Sequence, residues 1–190
     1  FYEADSGEIE ILGRPISSFT REELTSMFGV TLQNDFIYAD TIKENIKFGR
    51  EVTDETVSAA AKTAQAHDFI SATDKGYDYM LSSKGTNVSG GQRQRILIAR
   101  ALLLKPEILI LDDSSSALDY KTDANLRKAL AKDIPNSTVI TIAQRVSSVK
   151  NCDLILVVEK GEIIERGSHE DLIEKKGKYY QLYTGAFELQ

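Results

Sequence analysis

The chain has 190 residues, 42% of them hydrophobic and 27% charged, a balance that excludes a disordered protein and is typical of a folded globular domain. Its net charge of -6 argues against a general nucleic-acid binder, which is usually basic. No apolar run is long enough to cross a bilayer, and the single cysteine, Cys152, excludes an internal disulfide and a multi-cysteine metal site.

The predicted elements of the first half lead into a long helical region. In chain order they are a strand at 7–12, a helix at 21–27, a strand at 30–32 and helical structure from about 41 to 104. Thr20 is placed to cap the first helix. Within the helical region, apolar residues at helical spacing predict one buried face: Val57, Ala60, Ala61 and Ala64.

The second half alternates between helices and strands. The pattern predicts a helix at 91–104, a strand at 108–111, a helix at 123–132, a strand at 138–142, a hairpin of strands at 154–158 and 162–164, and a polar helical tail. The continuous apolar run at 108–111 is typical of a parallel strand covered on both faces. We therefore predict an α/β domain with an inserted helical subdomain, in which residues 1–33 and 105–190 form the core and residues 34–104 the insertion.

A run of small and polar residues, Ser89-Gly90-Gly91-Gln92, lies where the helix at 91–104 begins. Two glycines let the backbone approach a bulky anion, the serine offers a hydroxyl group, and a helix N-terminus supplies free N–H groups and partial positive charge. The alternative interpretation is a serine-capped helix after a glycine turn. The complete run from Asn87 to Arg95 favours the anion site when it is combined with the acidic strand end that follows.

Two acidic residues, Asp112 and Asp113, follow the apolar strand at 108–111. Proteins of the α/β class bind ligands at the carboxyl ends of their parallel strands. There Asp112 would be placed to hold a Mg²⁺ ion that bridges nucleotide phosphates. Two acids after a strand are equally typical of a helix-capping turn, so the combination with the Ser-Gly-Gly-Gln run decides in favour of a nucleotide site.

These runs resemble the nucleotide-binding domain of ATP-binding cassette (ABC) transporters, and the resemblance covers essentially the whole chain. Ser89 to Gln92 are similar to the family's signature motif, with Val88 where leucine is commonest, and residues 108–112 are similar to its Walker B strand. Gln33 is similar to the family's Q-loop glutamine, and Ser116-Ala117-Leu118-Asp119 are similar to its D-loop. Residues 36–38 and 41–46 resemble the exporter segment that meets the coupling helices of the transmembrane domain. Residues 161–172 resemble the usual exporter ending.

The resemblance implies a RecA-like P-loop NTPase core with an inserted α-helical subdomain, a small antiparallel β portion, and ATP and Mg²⁺ as cofactors. It implies that Gln33 and Asp112 help to bind Mg²⁺. Residues 88–92 would contact the ATP that is bound mainly by an opposing half, and Asp119 would communicate across the interface between the halves. The implied partners are a second nucleotide-binding domain and the coupling helices, without nucleic acid, at the cytoplasmic face of the cell membrane.

Two positions depart from the family's hydrolytic residues. Asp113 stands where a catalytic glutamate usually follows the Walker B aspartate, and Gln144 stands where a switch histidine is usual. A carboxylate one methylene shorter should orient the attacking water poorly, and glutamine carries no positive charge. We therefore expect the degenerate-site half of a heterodimeric ABC exporter, whose own site binds ATP but hydrolyses it slowly. The alternative is that both residues are neutral variants in an ordinary homodimer.

The sequence contains no phosphate-binding loop of the form G-x-x-x-x-G-K-[ST]. In the family this loop lies shortly upstream of the segment aligned with Phe1, and the chain starts there without an initiator methionine, so we interpret it as an N-terminally truncated part of a longer protein. The loop supplies most of the contacts that bind the phosphates. We therefore expect these 190 residues alone to be inactive, to bind ATP weakly or not at all, and to self-associate through unpaired strand edges.

Two other classes of protein stay open at this point. One is an ABC ATPase without a membrane partner, although the interval from Gln33 to Leu104 is too short for the coiled-coil insertion that such proteins usually carry. The other is a catalytically silent regulatory or structural module. Three arginines of the signature helix, Arg93, Arg95 and Arg100, are interpreted as its solvated polar face rather than as a nucleic-acid surface.

Overall fold

The computed structural model describes residues 4–33, 35–114 and 116–185. Phe1, where the chain starts, lies outside the described residues. So does Asn34, which belongs to the run matched around Gln33. In chain order the elements are β1 Glu10–Ile11, β2 Arg14–Pro15, α1 Arg21–Met27, β3 Phe28–Thr31, α2 Ile42–Lys47, α3 Asp54–Thr63, α4 His67–Ser71, α5 Gly90–Leu102, β4 Ile108–Asp112, α6 Tyr120–Asp133, β5 Thr138–Ile142, β6 Ile155–Glu159, β7 Glu162–Gly167, α7 His169–Lys175 and α8 Lys178–Thr184.

A parallel sheet in the strand order β3-β4-β5 forms the centre of the described structure. Thr31 lies opposite Leu111, and Asp112 lies opposite Ile142, so the carboxyl ends of the three strands fall at one edge. Two small antiparallel hairpins, β1–β2 and β6–β7, lie outside this sheet. The predicted α/β class with a small antiparallel portion is therefore confirmed.

The helical region has a core of its own around α5. Helix α5 contacts α2, α3 and β3, and many side chains of this region are fully buried: Ile42, Ile46, Ala61, Ala64, Ile70, Ile96 and Ile98. The predicted apolar face of α3 is confirmed, since Val57, Ala60, Ala61 and Ala64 all lie in this core. The α5–β3 contact requires glycine at position 29, because a Cβ there would lie only 2.3 Å from the carbonyl oxygen of Ala101.

The predicted helical region differs from the structure between α4 and α5. Residues 72–88 contain only two short 3₁₀ turns, at Gly76–Asp78 and Ser83–Gly85. Gly76, Lys84 and Gly85 adopt left-handed backbone conformations with φ of 54°, 63° and 64°, which an α-helix does not accommodate. Helix α6 also starts earlier than the predicted 123, because Asp119 caps it at Tyr120.

The prediction that both faces of β4 are covered is wrong for one face. Leu109 and Leu111 are buried, but Ile108 and Ile110, which point to the opposite face, remain half-buried. The neighbouring strand β5 is more open still, since Ile140 and Ile142, on the same face as Ile110, are 45% and 48% exposed. The described residues therefore cover one face of the sheet with helices and leave apolar side chains accessible on the other.

Among the residues that the structure describes, no helix combines the length and the apolar character needed to cross a bilayer.

Candidate functional site

Three predicted site segments meet at the carboxyl edge of the parallel sheet. Asp112 is the last residue of β4, while Gln33 and Gln144 each lie two residues beyond the ends of β3 and β5. The backbone N–H of Asp113 donates a hydrogen bond of 2.9 Å to the carbonyl oxygen of Ile142, which ties the acidic segment to β5. Gln33 and Gln144 are exposed, whereas both aspartates are half-buried. The strand register thus brings an acid pair and two carboxamides to one edge.

Asp113 occupies a tight turn with a left-handed backbone. Its φ is 47°, a conformation that aspartate and asparagine adopt more readily than most other residues. Its carbonyl oxygen accepts hydrogen bonds from the N–H and the hydroxyl group of Ser116, at 3.2 and 2.9 Å. The turn therefore suits the aspartate that stands where the resemblance predicts glutamate.

A buried pair of hydroxyl groups connects two segments of this edge. Thr31, the last residue of β3, shares a hydrogen bond between hydroxyl groups with Ser114, and the two residues are 0% and 3% exposed. The bond joins the strand that leads to Gln33 with the turn that follows Asp113. Sequence analysis missed this pair because the partners lie 83 residues apart.

The Ser-Gly-Gly-Gln run forms the N-terminus of α5, as predicted, and it is a capped one. Ser89 Oγ accepts a hydrogen bond of 3.2 Å from the N–H of Gln92, and Gln92 Oε1 accepts one of 2.9 Å from the N–H of Ser89. Ser89 and Gly90 are exposed, whereas Val88 is half-buried and packs against the core. The capped-helix interpretation is therefore correct locally, and it leaves N–H groups of the first turn accessible for an anion.

The segment matched to the D-loop lies directly beside this turn. A Cβ at Gly91 would come within 3.0 Å of the carbonyl oxygen of Ala117, and one at Gly90 within 3.8 Å of the Ala117 Cβ. Arg145, which follows Gln144, donates a hydrogen bond of 3.0 Å to the carbonyl oxygen of Ser116. The D-loop segment therefore contacts both the signature turn and the segment that carries Gln144.

Asp119, at the end of this segment, is the N-cap of α6. Its Oδ1 accepts a hydrogen bond of 3.0 Å from the N–H of Thr122, and its Oδ2 accepts one of 2.7 Å from the Thr122 hydroxyl group. These hydrogen bonds hold the pKa of the Asp119 carboxyl below its ordinary value. The side chain is exposed, so it combines a structural capping role with a surface position.

The predicted solvated face of α5 is wrong for two of the three arginines. Arg100 is only 6% exposed. Arg95 is half-buried; it lies 4.6 Å from the ring centroid of Phe69 and donates a hydrogen bond of 2.7 Å to the carbonyl oxygen of Gln65. Arg93 is exposed, as predicted.

The burial of Arg100 had a signal in the sequence. Residues 96–104 are apolar except for this arginine, so the end of α5 has no polar face to which it could belong. Burial lowers the pKa of the Arg100 guanidinium, and nearby Arg50 lowers it further, while the carboxylate of Asp35 opposes both effects. Arg100 is therefore held charged inside the domain by specific partners.

Three exposed aromatic side chains lie side by side next to Arg100 and form what we call the aromatic surface: Phe36, Tyr38 and Phe48. The rings of Phe36 and Tyr38 meet edge to face at 6.1 Å, and those of Tyr38 and Phe48 are 5.6 Å apart. The Arg100 guanidinium lies 4.5 Å from the centroid of the Phe48 ring. Phe36 and Tyr38 belong to the segment 36–38 that resembles the exporter contact with coupling helices, and Phe48 lies two residues beyond the second such segment, 41–46.

The donor atoms at the sheet edge fit a magnesium ion that is shared with a nucleotide. Among the described residues, no cluster of three or more His, Cys, Asp or Glu side chains is arranged to hold a metal alone. Mg²⁺ in phosphate sites needs fewer protein ligands, because it keeps several waters and binds phosphate oxygens. The carboxylate of Asp112 and the carboxamide of Gln33 supply hard oxygen donors of the required kind.

Comparison with known proteins agrees with these features. The sequence model of the family described as ABC transporter matches residues 1–116. The chain is 45% identical over 189 residues to the uncharacterized ABC transporter ATP-binding protein YfiC of Bacillus subtilis (strain 168), covering 99% of this chain and 31% of YfiC. It is 47% identical over 184 residues to the uncharacterized ABC transporter ATP-binding protein YknU of the same organism, covering 96% of this chain and 32% of YknU.

A solved structure is similar over the same extent. A bacterial Atm1-family ABC exporter with ATP bound aligns with a TM-score of 0.92 and 35% identity, covering 99% of this chain and 33% of the exporter chain. The chain thus spans about a third of the length of the relatives that it matches.

Proposed function

The chain belongs to the ABC transporter family and has its RecA-like P-loop NTPase fold, and we propose that it is part of the ATP-binding domain of an ABC exporter. The observation that carries the proposal is the meeting of Gln33, Asp112 and Gln144 at one sheet edge. On this proposal the complete protein hydrolyses ATP to drive export through a transmembrane domain. Its ligands are ATP and Mg²⁺.

The residues of the sheet edge have distinct roles in this proposal. Bound Mg²⁺ would neutralise charge on the ATP phosphates during phosphoryl transfer. Asp112 and Gln33 would hold that ion from the strand ends. Gln144 would donate a hydrogen bond toward the terminal phosphate through its carboxamide, without contributing positive charge.

The signature turn would act on a nucleotide that is bound mainly by a second nucleotide-binding domain. The N–H groups of Gly90 and Gly91 and the positive end of α5 suit the terminal phosphate. Ser89 Oγ already accepts a hydrogen bond from Gln92, and among the described residues its hydroxyl group donates to no partner. Its O–H is therefore available to the phosphate. Asp119, beside this turn, would contact the second nucleotide-binding domain across the interface between the two domains.

We further propose that the two sites of the dimer are unequal. Asp113 lacks one methylene relative to the usual glutamate, so its carboxylate reaches less far toward an attacking water. A positioned general base contributes about 10² to 10⁴ in rate, which corresponds to roughly 3 to 5 kcal/mol of barrier. The site of this half would therefore bind ATP but hydrolyse it slowly, while its nearly intact signature turn serves the competent site of a different partner half.

Restoring both usual residues tests the inequality. In a full-length heterodimer whose other hydrolytic site has been inactivated, we expect Asp113→Glu with Gln144→His to raise ATP turnover by about 10² or more, the lower end of the range that a positioned base contributes. The matched control is Asp113→Asn, which removes the carboxylate without lengthening the side chain and should give no gain. No increase in turnover for the double variant would contradict the proposed asymmetry.

The aromatic surface supports a contact with the transmembrane domain. Phe36, Tyr38 and Phe48 are 59%, 48% and 45% exposed and lie side by side, an arrangement typical of an interaction site. We propose that the coupling helices of the transmembrane domain cover it, which would place this domain at the cytoplasmic face of the cell membrane.

Weak ATP binding by the 190 residues alone stays a prediction.

A further inference from the structure

A single buried side chain of α5 connects three separate segments of the domain. Arg100 Nε donates a hydrogen bond of 2.8 Å to the carbonyl oxygen of Asn45, in α2. Its Nη1 donates one of 3.0 Å to the carbonyl oxygen of Phe36 and lies 3.5 Å from the Asp35 carboxylate. Arg100 therefore links the helix that begins at the signature turn to the segment that follows Gln33 and to α2.

The same guanidinium organises the aromatic surface from beneath. It lies 4.5 Å from the ring centroid of Phe48 and 6.0 Å from that of Tyr38. Its Nη2 donates a hydrogen bond of 3.3 Å to Asn45 Oδ1, which also accepts one of 2.9 Å from the N–H of Tyr38. Displacing the guanidinium would thus remove its contacts with the rings of Tyr38 and Phe48 and loosen the hydrogen bond that holds the backbone at Tyr38.

Lysine cannot reproduce these contacts. A guanidinium is planar, presents five donors in a fixed arrangement and stacks on aromatic rings, whereas an ammonium group is a single compact charge. Arg100 uses this geometry to reach carbonyl oxygens in two segments at once while facing an aromatic ring. A buried cation that loses such partners is strongly unfavourable. The site therefore depends on the shape of the side chain as well as on its charge.

We propose that Arg100 is a positioning residue that makes the signature helix, the segment after Gln33 and the aromatic surface move as one unit. A change at the aromatic surface then reaches both the signature turn of α5 and the Gln33 segment. This inference rests on the proposed function, because it concerns how nucleotide binding is transmitted from the ATP sites to the surface proposed for the transmembrane domain.

Hydrogen–deuterium exchange of the full-length transporter, with and without Mg-ATP, tests the proposal. The two regions compared are 35–48, which carries the aromatic surface, and 89–102, which carries the signature turn and α5. In the wild type we expect Mg-ATP to lower exchange in both regions. In Arg100→Lys and Arg100→Gln we expect the Mg-ATP effect to persist in 89–102 and to be lost in 35–48. A role limited to folding would raise exchange equally with and without Mg-ATP.

Two further variants keep the test decisive. Arg93→Gln changes an exposed arginine of the same helix, whose hydrogen bond to the carbonyl oxygen of Lys84 measures 3.4 Å, and it should behave as the wild type. Asp35→Asn removes only the counter-charge of Arg100 and should weaken the Mg-ATP effect in 35–48. If both Arg100 variants fail to fold, Asp35→Asn decides the question.

The possible outcomes separate the two proposals. The positioning role is overturned if the folded Arg100 variants keep the Mg-ATP effect in 35–48, or if the wild type shows that effect only in 89–102. Where the Arg100 variants do not fold, an unchanged effect in Asp35→Asn overturns it. A wild type without any Mg-ATP effect in either region contradicts the proposed function, and the positioning role falls with it.

Discussion

The helical region around α5 and the open face of the parallel sheet differ sharply in how they bury apolar side chains. Ile42, Ile46 and Ile98 in the helical region are 0% exposed, whereas Ile140 and Ile142 of β5 are 45% and 48% exposed. The helical region therefore buries its apolar side chains against its own residues. The open sheet face depends on contacts that the described residues do not supply.

This difference separates the two proposed nucleotide contacts as well. The signature turn is capped by its own side chains and supported from behind by the fully buried end of α5. Gln33 and Gln144 instead follow strand ends and are exposed. The signature turn thus rests on the self-contained region, whereas Gln144, which departs from the family, follows the strand with the open face.

Truncating one isoleucine in each region should give the largest contrast in stability. Ile98→Ala in α5 should cost about 2 to 5 kcal/mol, because it removes a fully buried side chain and leaves a cavity. Ile140→Ala in β5 should cost much less, since this side chain is already half in solvent. Urea denaturation followed by circular dichroism measures both. Equal losses would mean that the open face is covered in solution, which would break the comparison.

The contact that joins the two regions is tested at Gly29. A Cβ at this position would lie 2.3 Å from the carbonyl oxygen of Ala101 in α5 and 2.7 Å from Pro106 Cγ. Gly29→Ala should therefore push α5 from β3 and cost about 1 to 3 kcal/mol, as overpacking typically does. Gly90→Ala is the control, because its Cβ would meet Ala117 at an ordinary 3.8 Å. A neutral Gly29→Ala would show that the helix and the sheet adjust independently.

Local patterns in the sequence were sufficient for much of the fold. Strand β5 matches its predicted range, 138–142, and the four apolar residues of the α3 face are buried as predicted. Thr20 and Asp119 show the same principle at helix ends, since both cap helices through side-chain oxygens, although only the first cap was predicted. Such features depend on neighbours within a few residues, so the sequence contains them directly.

Features that depend on distant partners were predicted less well. The apolar run at 96–104 indicates that Arg100 is buried, but its partners, carbonyl oxygens 55 and 64 residues away, cannot be predicted from the spacing along α5. The strand-edge site was predictable because parallel strands share an edge, whereas the hydroxyl pair of Thr31 and Ser114 was not. The roles of Asp113 and Gln144 stay predictions, since they depend on a nucleotide and on a second domain.

The smallest expected effect concerns acid stability at Asp119, beside the signature turn. Hydrogen bonds from Thr122 hold the pKa of Asp119 below its ordinary value of 3.8 in the folded state. A carboxyl with a lowered pKa in the folded state stabilises it above the pKa of the unfolded chain, and this contribution disappears as the pH falls through the folded-state pKa. Asp119→Asn keeps a capping oxygen but does not titrate.

The difference in urea midpoint between the wild type and Asp119→Asn should therefore be present at neutral pH and disappear once the pH falls well below 3.8. Asp171, at the start of α7 next to the β6–β7 hairpin and outside both regions, provides a matched variant, because hydrogen bonds with Ser168 also lower its pKa. Asp171→Asn should show the same pH dependence, since both carboxyls are exposed and accept backbone hydrogen bonds at a helix N-terminus. A pH dependence that is clearly larger for Asp119 than for Asp171 would mean that the Asp119 carboxylate interacts with groups beyond Thr122, and would show that the surroundings of the signature turn add to the effect of the hydrogen bonds alone.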